Sequence, residues 1–208
     1  MKPLLIGIAG GTGSGKSTIT RRLAAALAET PVAFVALDSY YLDLGDMPMD
    51  ERNRRNFDHP DAFDLPLLLQ HLEALAAGQS IESPVYDFRR HARASTTETV
   101  RPSDVVVVDG ILALHDPRIR ALFGLKVFVD ADADLRLARR IRRDIVERGR
   151  TVEDVLEQYE TTVRPMHERF VEPTRAHADL IVPRGGFNDI AVDVLLAFVE
   201  RCLRPVPA

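Results

Sequence analysis

Residues 10–17 read Gly10-Gly-Thr-Gly-Ser-Gly15-Lys16-Ser17, which matches the pattern G-x-x-x-x-G-K-[ST] in full. Glycines at these spacings let successive backbone N–H groups converge on one anion. The octapeptide follows the apolar run Leu4–Ala9 and opens the Ala- and Leu-rich stretch Lys16–Glu29. The sequence therefore predicts a buried strand, a phosphate-binding loop and a helix whose N-terminal dipole faces the anion.

This loop predicts a nucleotide site with a metal beside it. Lys16 would reach the β- and γ-phosphates, and the Ser17 hydroxyl would coordinate Mg²⁺. The apolar run Val105–Val108 ends at Asp109, which places a carboxylate at the carboxyl end of a buried strand, where ligands bind in open α/β sheets. Asp109 would hold Mg²⁺ directly or through water. The predicted nucleotide-binding residues are Gly10, Gly11, Thr12, Gly13, Ser14, Gly15, Lys16, Ser17 and Thr18.

Asp38 follows the apolar run Val32–Leu37 and is predicted to lie at the same edge of the sheet. A carboxylate there could accept the proton of an attacking hydroxyl and contact Mg²⁺. The alternative is a helix-cap or turn aspartate without a chemical role. The loop itself leaves GTPase, ATPase and kinase open, although the guanine-reading pattern Asn-Lys-x-Asp is absent.

Composition narrows the class of protein. The chain has 208 residues, of which 46% are hydrophobic and 28% are charged, so it is an ordinary globular chain rather than a disordered one. Its net charge of −4 disfavours sequence-independent nucleic-acid binding, which depends on excess Lys and Arg. Cys202 is the lone cysteine and offers neither an internal disulfide nor a zinc cluster. No apolar run is long enough for a signal peptide or a membrane span, so a cytoplasmic protein is expected.

Apolar runs alternate with amphipathic stretches, which predicts one α/β domain over residues 1–208 with a parallel sheet. The predicted strands are Leu4–Ala9, Val32–Leu37, Val105–Val108, Val127–Val129 and Leu180–Val182. The predicted helices are Lys16–Glu29, Leu65–Ala77, Asp134–Glu147, Thr151–Phe170 with a kink or an end at Pro165, and Asp189–Leu203. An antiparallel insertion is predicted over residues 79–103, and residues 204–208 are expected to fray.

Short segments from residue 6 to about residue 188 follow one another in the order of a known kinase pattern. These segments are Gly10–Ser17, Asp38–Tyr41, Asn56–Asp64, Pro84–Phe88, His91–Arg93, Asp109–Leu112, Arg139–Asp144, Glu147–Arg150, Gln158–Tyr159, Val163–Met166 and Ala178–Gly186. Residues 56–64 are far more specific than the phosphate loop. In these segments the chain resembles the uridine–cytidine kinases.

The resemblance implies a P-loop kinase fold, with a five-stranded parallel sheet flanked by helices. It also implies a nucleoside-binding insertion at residues 79–103 and an Arg-rich lid at residues 134–150. The implied reaction moves the γ-phosphate of ATP to the 5′-hydroxyl of uridine or cytidine with Mg²⁺, giving UMP or CMP for pyrimidine salvage. The residues themselves leave ATP and GTP open as the donor. The resemblance further suggests a homotetramer.

Residue roles follow from the same resemblance. Asp38 matches the catalytic base, and Asp58 matches the residue that holds the ribose hydroxyls with the help of Arg140. Tyr86 and His91 match the residues that face the base. The remaining matches are the aromatic walls Phe57 and Phe88, the further nucleoside contacts Arg150 and Gln158, and the phosphate-approaching lid arginines Arg143 and Arg148.

The arginines of this segment fit phosphoryl transfer on chemical grounds as well. Residues 136–150 hold seven arginines and two acidic residues, a net charge of +5 in a chain of −4. Helical spacing puts Arg136, Arg139, Arg140 and Arg143 on one arc, and Leu135 and Ile145 on the other side. Arginines near the transferred phosphoryl group stabilise its charge. The alternatives are a solvated helix face and an RNA-binding surface, and the second lacks interleaved aromatic residues.

Three positions depart from the family pattern. Asp109 stands where many members carry Glu, and its shorter side chain favours a Mg²⁺ contact through water. Leu42 replaces a basic residue, and Phe187 occupies a variable position in the loop expected near adenine. The open alternatives are a phosphoribulokinase-like or pantothenate-kinase-like enzyme and a catalytically idle nucleotide-binding regulator. Residues 56–64 argue against the first two, and intact Lys16 and Asp38 argue against the third.

Overall fold

The computed structural model describes residues 3–27 and 30–203. Its main sheet has five parallel strands in the order β2-β5-β1-β6-β7, and a separate hairpin pairs β3 with β4. The strands are β1 Leu4–Ala9, β2 Val32–Ala36, β3 Ile81–Asp87, β4 Ala92–Val100, β5 Val105–Asp109, β6 Leu125–Val129 and β7 Leu180–Val182. The helices are α1 Lys16–Ala26, α2 Met49–Asn53, α3 Leu65–Ala76, α4 Pro117–Arg120, α5 Ala133–Arg148, α6 Val152–Gln158, α7 Arg164–Met166 and α8 Asp189–Leu203.

The three central strands β5, β1 and β6 are covered on both faces, as their continuous apolar runs predict. The edge strands β2 and β7 expose Phe34 and Ile181. All four valines of β5 are buried. Successive residues point to opposite sides, so Leu5 of β1 joins one hydrophobic core and Ile6 joins the other. The predicted fold, a parallel sheet flanked by helices with a small antiparallel insertion, is confirmed.

Strand register brings the functional ends together. Asp109 at the end of β5 pairs with Ile8 of β1 on one side and with Ala36 of β2 on the other. The phosphate loop follows β1 directly, and Asp38 lies two residues after the end of β2. One edge of the sheet therefore carries the loop and both predicted carboxylates.

The helical segment that begins after Thr151 continues past Pro165, where the sequence predicts either a kink or an end. Thr151 and Asp154 form a capping box at the start of α6. The helix does not end at Pro165, because π-helical turns at Tyr159–Val163 and His167–Val171 flank it and carry the chain on to Val171. In the first of these turns the Arg164 N–H donates to the Tyr159 carbonyl, a wider spacing than in an α-helix.

The other helix boundaries lie within a few residues of the prediction. The first helix is described to Ala26, and Glu29 and the tail at residues 204–208 lie outside the described residues. Asp64 caps α3 by accepting from the Leu67 N–H, as its position predicts. Among the described helices, none combines the length and the apolar character that a membrane crossing requires.

Candidate active site

The phosphate loop wraps around the side chain of Lys16. The Lys16 ammonium donates to the carbonyl oxygens of Gly10 at 2.9 Å and Gly11 at 3.1 Å. Gly13 has φ 73°, and a Cβ there would lie 2.4 Å from the backbone oxygen of Arg136. A glycine is therefore required at residue 13 both for its backbone conformation and for the close approach of α5.

Burial and charge oppose each other at Lys16. Burial lowers the pKa of its ammonium, while the carboxylates of Asp109 and Asp38 act to raise it. A buried cation with two carboxylates near it is suited to exchange those interactions for phosphate oxygens.

Oxygen donors cluster beside the start of α1. The Ser17 hydroxyl donates to Asp109 Oδ2 at 3.2 Å, and the Thr20 hydroxyl reaches the same oxygen at 3.4 Å. Burial raises the pKa of the Asp109 carboxyl, and Lys16 opposes that effect. A hydroxyl and a carboxylate suit Mg²⁺, which prefers oxygen ligands and keeps water and substrate phosphates among them. Thr20 is a neighbour that the sequence analysis did not identify.

A metal at this place would depend on the nucleotide. In residues 3–27 and 30–203 no group of three or more His, Cys, Asp or Glu side chains could hold a metal ion. Ser17 and Asp109 supply only part of a coordination sphere, and Asp38 lies close enough to influence the pKa of both Lys16 and Asp109. This arrangement is typical of Mg²⁺ bound through one or two carboxylates together with phosphates.

Asp38 lies on the 3₁₀ turn Leu37–Tyr40 immediately after β2. That turn has no side-chain cap, so the alternative of a capping aspartate is not what the structure shows. The Asp38 side chain borders a cavity of about 910 Å³ that opens beside the phosphate loop. A carboxylate in this position is available to a hydroxyl bound in the cavity.

The same cavity collects the predicted substrate residues from distant parts of the chain. They come from the connection after β2, the β3–β4 hairpin, α5 and α6. Those that line it are Phe57, Asp58, Tyr86, Phe88, His91, Arg140, Arg150 and Gln158, and Arg143 and Arg148 of the predicted lid line it as well. Thr12 of the phosphate loop borders it too, so the cavity and the nucleotide loop are contiguous.

Aromatic rings form one end of the cavity. The ring of His91 stacks on Phe57 with centroids 4.7 Å apart, and Tyr86 meets Phe88 edge to face at 5.3 Å. The Tyr86 hydroxyl is buried and has no hydrogen-bond partner among the described residues. His91 has φ 46°, an uncommon conformation for a residue with a side chain. Burial lowers the pKa of His91, and Arg150 and Arg148 lower it further, so its imidazole is neutral at pH 7.

Arginines of α5 form another part of the lining. Arg140 donates through Nη1 to the Thr12 hydroxyl at 3.3 Å and through Nη2 to Gln158 Oε1 at 2.8 Å. Arg136 and Arg140 are buried, which rules out the alternative of a solvated arginine face. The apolar side of α5 is instead partly open, with Leu135 46% and Ile145 39% exposed. Burial also lowers the pKa of Arg140, and Asp58 opposes that effect.

Two arginines to which the sequence gave no individual role, Arg139 and Arg93, make contacts near the site. The guanidinium of Arg139 lies 5.4 Å from the ring centre of Phe187 and donates to the Gly13 carbonyl at 3.3 Å. Arg93 donates to the Tyr41 carbonyl at 2.9 Å and pairs with Asp64 at 3.2 Å, which fastens the hairpin to the core. The arginine spacing on α5 was a signal for Arg139, whereas the role of Arg93 depends on a contact between distant segments.

Comparisons with known proteins bear on this site. Residues 5–191 match the model of the phosphoribulokinase / uridine kinase family. The chain belongs to this family. A uridine kinase of Clostridium botulinum (strain Kyoto / Type A2) is 50% identical over 203 residues, which is 98% of each chain. A uridine kinase of Chloroflexus aurantiacus (strain ATCC 29366) is 49% identical over 205 residues, covering 99% of this chain and 98% of that one.

A solved structure agrees with the fold of this family member. The phosphoribulokinase from Rhodobacter spheroides superposes with a TM-score of 0.66 at 16% identity, over 88% of this chain and 70% of that one. At that identity the likeness concerns the fold alone. The family match and the two relatives establish a kinase of the uridine kinase type, and this superposition agrees with its P-loop kinase fold.

Proposed function

We propose that this kinase transfers the γ-phosphate of ATP to the 5′-hydroxyl of uridine and cytidine. The observation that carries the proposal is the single cavity in which Asp38 and the aromatic pocket lie next to the phosphate loop. Two relatives named uridine kinase, each about half identical over nearly the full length of both chains, support uridine as an acceptor. The reaction would give UMP and CMP, a salvage route for pyrimidine nucleosides.

The charged groups of the cavity and of the adjoining nucleotide loop have separate tasks in this reaction. Asp38 would accept the proton of the 5′-hydroxyl as that oxygen attacks the γ-phosphorus. Lys16, Arg143 and Arg148 would stabilise the negative charge on the phosphoryl oxygens. Ser17, Asp38 and Asp109 would hold Mg²⁺, which neutralises phosphate charge when bound.

The rest of the cavity fits a pyrimidine nucleoside. The Phe57, Tyr86, Phe88 and His91 rings offer stacking surface together with hydrogen-bonding groups for a base. Asp58 and Arg140 would take the ribose hydroxyls as acceptor and donor. A phosphoribulokinase-like or pantothenate-kinase-like acceptor has no aromatic base, so it would leave this pocket unused.

Several coarser expectations accompany the proposal. The chain would act as one kinase domain, in which residues 79–103 bind the nucleoside and residues 134–150 form the lid. A cytoplasmic location fits a reaction that consumes ATP. The homotetramer stays a prediction from resemblance.

Release of ADP with a panel of acceptors tests the proposal. The purified chain would be incubated with ATP and Mg²⁺ and with uridine, cytidine, thymidine, adenosine, ribulose 5-phosphate or pantothenate, each product being checked by mass. We expect ADP with uridine and cytidine. ADP only with ribulose 5-phosphate or pantothenate would identify the alternative kinases. The absence of ADP with every acceptor would favour the idle regulator.

The neutral imidazole of His91 leads to a prediction about base choice. A neutral imidazole has one donor and one acceptor nitrogen, so it could donate to uracil O4 or accept from the cytosine amino group. Both nucleosides should then be substrates, with kcat/KM values within about 10³ of each other, or roughly 4 kcal/mol. Steady-state kinetics on uridine and cytidine measure this ratio, and a larger difference would contradict the role given to His91.

A further inference from the structure

Asp144 is the one acidic residue at the centre of the arginine cluster, defined here as Arg140, Arg143, Arg148 and Arg150. Its side chain is fully buried, at 0% exposure, near the end of α5. All four guanidinium groups lie within 4 Å of its carboxylate. Asp144 falls in the segment Arg139–Asp144, which carries part of the resemblance.

The two carboxylate oxygens face different arginines. Oδ1 accepts from Arg143 at 2.8 Å and lies 3.7 Å from Arg148 Nε. These two arginines, the phosphate pair, are the ones expected at the phosphates. Oδ2 lies 3.6 Å from Arg140 Nε and 3.7 Å from Arg150 Nη1. These two, the nucleoside pair, are the ones expected at the nucleoside.

Oδ2 is buried and has no hydrogen bond within the described residues. It therefore acts on the nucleoside pair through charge alone. Such an oxygen, placed between two cations, reduces their mutual repulsion without fixing either one by a hydrogen bond.

The two pairs differ in what else holds them. Gln158 Oε1 accepts from both Arg140 and Arg150, so the nucleoside pair has a second shared acceptor. Arg143 has no acceptor other than Asp144 in the part of the chain that the structure describes. Arg148 has the ring of Phe88 at 5.3 Å and no second carboxylate within salt-bridge distance among the described residues. The phosphate pair thus depends on Asp144 more than the nucleoside pair does.

Like charges also crowd the phosphate pair. Burial lowers the pKa of Arg148, and Arg143 and Arg150 lower it further, while Asp144 acts in the opposite direction. Without the carboxylate, these partly buried guanidinium groups would repel one another. The guanidinium groups would move apart and would no longer converge on one reaction centre.

We propose that Asp144 is a positioning residue, whose two oxygens orient the phosphate pair and the nucleoside pair towards one reaction centre. It need not touch either substrate. The proposal rests on the proposed function, because it assigns the arginines to phosphoryl transfer to a nucleoside. Because the phosphate pair depends on Asp144 more than the nucleoside pair does, the proposal makes a specific prediction. Loss of the Asp144 charge should affect the chemical step more than nucleoside binding.

The test is the Asp144→Asn variant, which keeps the shape of the side chain and removes its charge. The backbone oxygen of Asp144 still accepts the N–H groups that end α5, so the helix terminus is unchanged. We expect kcat for uridine to fall by about 10- to 100-fold. The reason is that the phosphate pair, which stabilises the charge on the transferred phosphoryl group, would no longer be held in position. The KM for uridine should stay within about threefold, because Gln158 still holds the nucleoside pair.

Two comparison variants separate positioning from general damage. Asp134→Asn removes an exposed charge from the first turn of the same helix and should leave both constants unchanged. Gln158→Leu should show the opposite pattern, with a raised KM for uridine and a smaller change in kcat. A melting curve for each variant fixes a temperature at which all are folded.

Each outcome has a meaning for the proposal. A kcat near the wild-type value in Asp144→Asn would overturn it, as would an equal loss in kcat and in uridine affinity. If Asp144→Asn does not fold, Asp144→Ser, which leaves room for water beside the guanidinium groups, is measured in its place. If neither folds, the carboxylate serves stability and the proposal is wrong. The wild-type arm separately tests the proposed function, since it alone must phosphorylate uridine.

Discussion

Replacement of Asp38 by Asn should lower kcat for uridine phosphorylation by about 10²–10⁴ while uridine still binds. The amide has the same shape but cannot accept a proton from the attacking 5′-hydroxyl. The Asp38 side chain does not cap its turn, so the substitution removes a proton acceptor rather than a structural hydrogen bond. Rapid-quench or steady-state kinetics give kcat, and calorimetric titration gives the affinity for uridine.

Asp46→Asn is the matched control for Asp38→Asn. Asp46 lies in the same polar connection and is exposed to solvent, so its substitution should leave kcat unchanged. Near-normal turnover in Asp38→Asn would remove Asp38 from the role of base. A loss of uridine binding equal to the loss of kcat would instead mean that Asp38 holds the nucleoside.

Local patterns were enough for much of the fold. The phosphate loop, the buried strands and the Asp64 cap each depend on residues within one short segment, and such patterns carry over to the structure directly. The strand order was not readable in this way, because the pairing of β1 with both β5 and β6 depends on contacts between distant segments.

The arginine helix shows why the site was only partly predictable. Hydrophobic periodicity alone places Leu135 and Ile145 inside and the arginines outside. The structure has Arg136 and Arg140 buried, because they face the phosphate loop and the carboxylates beside it. Whether a charged arc is solvated or functional depends on what packs against it, which the helix sequence does not contain. The contacts of Asp144 and Thr20 were not predictable for the same reason, because they too depend on what packs against each helix.

The second large effect is expected on substitution of Asp58, which lies in the connection between α2 and α3. The turn there is held by other residues: Asn56 Oδ1 accepts from the Asp58 N–H at 3.0 Å, and His59 Nδ1 accepts from the Asp61 N–H at 3.1 Å. Asp58 itself therefore does not cap this turn. Its carboxylate lines the cavity, and Arg140 opposes the rise in pKa that burial causes at Asp58.

Removal of the Asp58 carboxylate should cost uridine phosphorylation at least about 100-fold in kcat/KM. An ionised carboxylate can accept both ribose hydroxyls, and each charge-assisted hydrogen bond contributes about 1.5–3 kcal/mol. The same reasoning makes deoxyuridine a poorer substrate of the wild type by about 10- to 100-fold, because one of these bonds is missing. Sites built around a hydroxyl reject analogues that lack it.

The ratio of the two nucleosides is what identifies the role of Asp58. In Asp58→Ala the ratio of kcat/KM for uridine to that for deoxyuridine should fall towards one, because the group that senses the 2′-hydroxyl is gone. Asp61→Ala is the control, since Asp61 belongs to the same turn and its side chain is 92% exposed. It should leave the ratio unchanged, and melting curves show whether either variant is destabilised. An unchanged ratio in Asp58→Ala would place recognition of the sugar elsewhere. Arg140 would then be the next residue to vary, because it lines the same cavity as Asp58.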